Sequence, residues 1–160
     1  VLTTVKNQEK SDFCYSLGAD EVVQYSKEDF HDVFRGKDEK RGVDLILDMI
    51  GGDYFEKNLD LLNEEGRLVN IAFLKGNSVN LNLSQLMMKR ITLTGSTLRP
   101  RTVEFKSKVA TELLKTVWPL LEDQKVRVHI DSIFPLEKFK DAHIRMESGN
   151  HFGKIILSLD

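Results

Sequence analysis

The chain has 160 residues, 41% hydrophobic and 30% charged, which is the balance of a folded globular domain and not of a disordered one. Its 23 basic and 25 acidic residues leave a net charge of −2, so it offers no general attraction to nucleic acid or anionic lipid. One cysteine, Cys14, excludes an internal disulfide framework, and no apolar run approaches the ~20 residues of a membrane span. A reducing, cytoplasmic setting is the expectation. No charged-then-apolar leader precedes the first strand, and the chain opens on Val1-Leu2-Thr3-Thr4-Val5 without Met, as a piece of a longer protein would.

Short β-branched runs alternate with segments of helical period. Val1–Val5 reads as a strand. Gln8–Leu17 reads as a helix with Phe13 and Leu17 on one face, stopped by Gly18. Glu21–Tyr25 is the next strand. Ser26 is placed to cap a helix over Lys27–Arg35, whose buried stripe is Phe30, Val33 and Phe34. The segment Gly36–Gly42 carries five charges and reads as a solvated loop. Val43–Ile50 is nearly continuously apolar, as a strand covered on both faces would be. Gly51-Gly52 ends it. Tyr54–Leu62 is a helix with Phe55, Leu59 and Leu62 inward, and Gly66 turns the chain into strand Arg67–Phe73. A polar connection, 76–82, leads to a short helix Leu83–Lys89 and a strand Ile91–Leu98. Arg99-Pro100-Arg101 breaks the chain before a long helix from Thr102 to about Val117, which Pro119 disturbs. Val126–Phe134, Leu136–Met146 and Lys154–Leu159 then read as strand, helix and strand.

The order predicts an α/β fold with a parallel, doubly wound sheet in residues 1–125, followed by a βαβ tail in 126–160. Such sheets take ligands beyond the carboxyl ends of their strands. Gly51-Gly52 lies at one such end and would let a ligand approach the backbone, although a plain turn is the commoner origin of a glycine pair. Lys6 and Lys10 flank the start of the first helix, a setting that suits a phosphate, or they are simply exposed lysines. Val5 is followed by Lys6 and not by the acid that holds a ribose in NAD-specific domains. Asp44 and Asp48 lie four apart in a strand, and acid–base work is the weaker of their two readings: Asp44 at the entry is expected in solvent, Asp48 at the exit near the ligand side. His31, His129, His143 and His151 show no metal-ligand spacing, and no metal site is expected. Met87, Met88 and Trp118 read as core or interface fillers. Neither Gly-x-Ser-x-Gly nor Gly-x-Gly-x-x-Gly occurs.

Leu17-Gly18-Ala19-Asp20, Val43–Gly52, Gly66-Arg67-Leu68-Val69, Pro135–Met146 and Phe152–Leu157 together, in this order and spacing, resemble the C-terminal half of a medium-chain dehydrogenase/reductase. The branch resembled is the zinc-free NADPH:quinone oxidoreductases. The resemblance implies a Rossmann-type sheet lacking its first strand and glycine-rich turn, with Val1–Val5 as the family's second strand. The catalytic domain is expected outside this chain, and the tail would return toward it. Catalytic residues therefore stay unassigned, and the chain alone is expected to be inactive. NADPH is the implied cofactor. By the resemblance Lys10 and Tyr25 lie at its 2′-phosphate, with Lys6 beside them. Ile50, Gly51 and Gly52 lie near the nucleotide, and Ile71, Ala72 and Phe73 pass the nicotinamide, with Ala72 where members often have glycine. Ser96, Thr97 and Leu98 also touch the nicotinamide. Strand 91–98 is the implied homodimer edge, and a quinone or enone the implied hydride acceptor. The alternative is a non-catalytic nucleotide-binding or structural module.

Overall fold

The computed structural model describes residues 1–36 and 42–159, so all but the end residues of the expected charged loop Gly36–Gly42 lies outside the described residues. The chain divides into two compact units, Val1–Pro100 and Arg101–Asp160.

In the first unit, β1 (Leu2–Val5) and β2 (Glu21–Gln24) pair in parallel, Leu2 against Glu21 through Val5 against Gln24. β3 (Val43–Asp48), β4 (Leu62–Asn70) and β5 (Thr92–Gly95) form a second parallel sheet in that order. α1 (Gln8–Ser16), α2 (Phe30–Arg35), α3 (Tyr54–Leu61) and α4 (Leu83–Lys89) supply the crossovers. Parallel strands require crossovers of this kind, and the alternating sequence periods follow from it. The fold is the α/β, parallel-sheet architecture the sequence predicts.

Two apolar clusters hold the unit. Phe55 and Leu59 of α3 pack with Leu62 and Leu68 of β4 and with Ile91. Phe30 and Phe34 of α2 pack with Val23 and Leu61, with Leu2 and Ile46 against them. Each fully buried leucine here, Leu59, Leu62 and Leu68, contributes about 1.5–3 kcal/mol of transfer free energy.

Several boundaries differ from the expected ones for local reasons. α2 begins at Phe30, because the Ser26 hydroxyl donates to the Lys6 carbonyl (2.8 Å) while Asp29 accepts from His31 N (2.9 Å) and caps the helix instead. In α1 the buried residue is Ser11. Leu17, expected inward, is the C-cap residue and lies 70% exposed. β4 starts at Leu62, directly after α3. Val43 pairs with Leu62 and Leu45 with Arg67, so residues 63–66 are extruded from the ladder. The expectation that β3 is covered on both faces is not met among the described residues of this unit: Leu45 and Leu47 are 63% and 64% exposed. β4 and β5 end at Asn70 and Gly95, which leaves Ile71–Phe73 and Ser96–Leu98 as loops beyond the strands. Met87, Met88 and Trp118 are exposed and do not fill this core.

The second unit holds α5 (Val103–Thr116), α6 (Trp118–Glu122), β6 (Ile130–Pro135), α7 (Phe139–Glu147) and β7 (Lys154–Ser158), with a single 3₁₀ turn at Leu136–Lys138. Thr102 caps α5 by accepting from Phe105 N (3.2 Å), and Pro119 falls in the first turn of α6, where its missing N–H costs nothing. β6 begins at Ile130, four residues later than expected, and pairs in parallel with β7. Asp131 ties the unit together. Its carboxylate accepts from Arg145 Nε (3.0 Å) and Nη2 (2.7 Å), from Phe152 N (3.0 Å) and from the Ser132 hydroxyl (2.8 Å).

Candidate functional site

The carboxyl ends of β1 and β2 lie side by side. Tyr25 N donates to Val5 O (3.0 Å), and the Ser26–Lys6 contact continues the pairing past the strands. α1 starts two residues after β1. Asn7 caps it, accepting from Lys10 N at 3.0 Å, an Asn at the N-cap being a signal visible in the sequence. Lys6, Lys10 and Tyr25 are thus brought to one corner, with Lys6 exposed and the Tyr25 ring half-exposed. Gln24 Nε2 donates to Gln8 Oε1 (2.7 Å), and Gln8 Nε2 to Asp12 Oδ1 (2.8 Å), fastening α1 to β2 beneath that corner.

The carboxyl ends of β3, β4 and β5 form a second, continuous rim. Ile71 N donates to Asp48 O (2.8 Å), Leu74 N to Met49 O (3.1 Å), Lys75 N to Ile50 O (2.8 Å) and Gly52 N to Gly76 O (3.0 Å). Ser96 N donates to Asn70 O (3.0 Å), which extends the ladder to the third strand. Gly51 and Gly52 have φ of 66° and 55°, and a Cβ on them would sit 2.5 Å from Gly76 O and 2.7 Å from Lys75 O. The backbone that approaches this glycine pair is therefore the chain's own 73–76 loop. Ile50 N and Gly51 N donate to Asp48 Oδ1 at 2.7 and 3.1 Å. With Gly52 N already engaged, the three successive N–H groups 50–52 are all used internally, so this turn is not a phosphate nest. Met49, Ile71, Phe73, Leu74 and Leu98 give the rim an apolar, exposed surface.

Between the two ends sits Tyr54, in the first turn of α3. Its ring stacks on Phe30 (4.8 Å between centroids), and Lys75 Nζ lies 4.8 Å above it. Burial pushes the Tyr54 phenol up, opposed by the Lys75 charge. The sequence marks Tyr54 only as a helix start. Likewise Asn70, which meets Asp48 across the sheet, carries no sequence signal, because its partner is 22 residues away. Asp44, at the other end of β3, is exposed and accepts from Asn63 Nδ2 (2.8 Å).

The profile of one family, described as zinc-binding dehydrogenase, matches residues 17–157. The chain belongs to this family. Its likeness lies in the quinone oxidoreductase-like branch of the medium-chain dehydrogenase/reductases, over their C-terminal part. Mouse quinone oxidoreductase-like protein 2 is 29% identical over 160 residues, covering 99% of this chain and 45% of the mouse protein. The chain thus spans about half the length of the curated relatives it matches. Among solved structures, the Escherichia coli quinone oxidoreductase complexed with NADPH superposes with a TM-score of 0.76 at 25% identity, covering 98% of this chain and 48% of that one. An NAD-dependent alcohol dehydrogenase superposes at 0.78 and 25% identity, covering 100% and 44%.

The family's description names zinc. Among the described residues no three His, Cys, Asp or Glu side chains gather in a way that would hold a metal ion, whereas a catalytic zinc takes three protein ligands and a structural one four. These residues do not fit a zinc site. No helix among the described residues is long and apolar enough to cross a membrane.

Proposed function

We propose that this chain is the nucleotide-binding part of an NADPH-dependent oxidoreductase that delivers hydride to a quinone or an activated alkene. The observation that carries the reading is the corner formed by Lys6, Lys10 and Tyr25. A helix N-terminus, two lysines and a tyrosine lie in the segments where β1 and β2 end, and the residue after Val5 is a lysine and not an acid. This donor set fits a 2′-phosphate: the cations attract its charge, and a carboxylate at that point would repel it. Lys10 and Tyr25 would hold the phosphate, with Lys6 beside them. The apolar rim of Ile71–Phe73 and Ser96–Leu98 suits a nicotinamide ring, and Ile50–Gly52 would meet the nucleotide through van der Waals surface and not through N–H groups. The bound cofactor supplies the hydride, and the protein orients it. The same reading includes a homodimer through the segment 91–98, of which β5 is the strand, and a cytoplasmic location.

Titration with NADPH and NADH, followed by nicotinamide fluorescence or calorimetry, tests the reading. NADPH is expected to bind more tightly. A charge-assisted contact to phosphate is worth roughly 1.5–3 kcal/mol, so Lys10→Ala should weaken NADPH by about one to two powers of ten and leave NADH nearly unchanged. A wild-type preference for NADH, or equal losses for both cofactors, would show the phosphate corner to be wrongly assigned.

A further inference from the structure

The carboxylate of Asp48 is the most deeply placed charge on the rim, 3% exposed. Its partners are three N–H donors and no O–H group. Oδ1 receives two of them, Ile50 N (2.7 Å) and Gly51 N (3.1 Å), and Oδ2 receives Asn70 Nδ2 (3.1 Å). An ionised carboxylate is acceptor-only with two oxygens, so it satisfies all three donors at once. It therefore grips the turn after β3 and the last residue of β4 simultaneously. The 71–76 loop is laced to the same turn by the four backbone hydrogen bonds described above, and the missing side chains of Gly51 and Gly52 let the two loops close.

With both its oxygens occupied and its surface covered, Asp48 is poorly placed for proton transfer to a ligand. We propose that Asp48 is a positioning residue. By clamping Ile50, Gly51 and Asn70 it holds loops 49–52 and 71–76 as one rigid ledge, and the ledge sets where the nicotinamide end of the cofactor lies. The inference rests on the NADPH reading above but goes beyond it, because it assigns a role to a residue that touches no part of the cofactor. Preorganisation of this kind counts when a ring must be held to within a fraction of an ångström.

Asp48→Asn preserves shape but changes one acceptor into a donor. The amide must point its N–H₂ either at Ile50 and Gly51 or at the Asn70 amide. The probes are NADPH and 2′,5′-ADP, which carries the adenine end and lacks nicotinamide. In Asp48→Asn, NADPH affinity should fall about tenfold, with 2′,5′-ADP changed less than about twofold. The swap Asp48→Asn/Asn70→Asp restores a donor opposite every acceptor and should recover most of the NADPH affinity. Should Asp48→Asn show no cooperative melt, Asn70→Ala decides instead by the same split, at about threefold on NADPH. Equal losses of both ligands, or a swap that recovers nothing, overturn the positioning role while the cofactor reading stands. A wild-type chain that binds neither probe overturns the cofactor reading, and this proposal with it.

Discussion

Asp131 shows how much a single residue determines in the second unit. Arg145 beside it, then the Phe152 N–H and the Ser132 hydroxyl, hold its carboxyl well below the usual carboxylate range. Its side chain is 5% exposed. A carboxyl with a depressed folded pKa adds stability above its unfolded value, about 3.9, and that stability is lost as pH falls from there toward the folded value. The second unit should therefore keep its stability from neutral pH down to about pH 5 and lose it progressively below about pH 4. Arg145→Ala removes the largest cause. Carboxyl-carbon NMR titration should then find Asp131 moving up toward its ordinary range, and an unmoved titration would show that Arg145 is not the controlling partner. Arg145 is visible in the sequence only as one scattered charge. The pairing across 14 residues of chain that gives Arg145 its role is a product of the fold.

At the scale of elements, α2, α3 and α4 are clasped by polar side chains and not by apolar packing alone. Asp29, the α2 cap, pairs with Lys57 of α3, and His31 Nε2 lies 2.7 Å from Asp60 Oδ2, which Arg35 also meets. Lys89, the last residue of α4, donates to the carbonyls of Leu59 (3.2 Å), Asp60 (2.7 Å) and Leu62 (2.8 Å). These are among the carbonyls a helix leaves unpaired at its C-terminus, and the ammonium satisfies them where the helix dipole favours a cation. Burial pushes the Lys89 amine down, so the contact carries a desolvation cost. Lys89→Met keeps the stem and removes the three donors. Urea denaturation should find it less stable by about 1–2 kcal/mol, with an unchanged slope. No loss of midpoint would mean that water replaces the ammonium without cost. Helix periodicity located all three helices in the sequence, but not this clasp. The α2 start illustrates the difference: Ser26 and Asp29 are both acceptable caps, and the choice between them fell to Lys6 O, which occupies the Ser26 hydroxyl.

For the whole molecule, the notable feature is uncovered apolar surface at sheet level. Among the described residues β1 and β3 each pair with one strand, and Leu45 and Leu47 of β3 are 63% and 64% exposed. Unpaired strand edges beside exposed leucines recruit other chains. Multi-angle light scattering over a concentration series should therefore find dimers or larger species of this chain. Leu45→Lys/Leu47→Lys should shift the distribution toward monomer without lowering the melting temperature by more than a few degrees. A wild-type chain that stays monomeric at high concentration, or a variant whose distribution is unchanged, would remove this surface as the cause.

The alternation of β-branched runs with 3.6-residue periods was sufficient to establish a parallel α/β fold and nearly every element, because a crossover between parallel strands demands a helix that buries one stripe. The positions of Lys6, Lys10 and Tyr25 near the ends of β1 and β2 were legible too, since all three lie within a few residues of strand ends; the phosphate they would hold belongs to the function proposed above. Three things belonged to the tertiary structure alone. The close approach that makes Gly51-Gly52 necessary comes from Lys75 and Gly76, more than 20 residues onward. Asp48 was expected at the exit of β3 with Asp44 in solvent at its entry, but its burial against Asn70 was set by a strand residue 22 positions onward. The exposure of Leu45 and Leu47 also ran against a run of residues that reads as fully covered. The physical reason is common to all three: periodicity reports which side a residue faces, whereas a hydrogen-bond partner or a covering surface is set by chain segments that are distant in sequence.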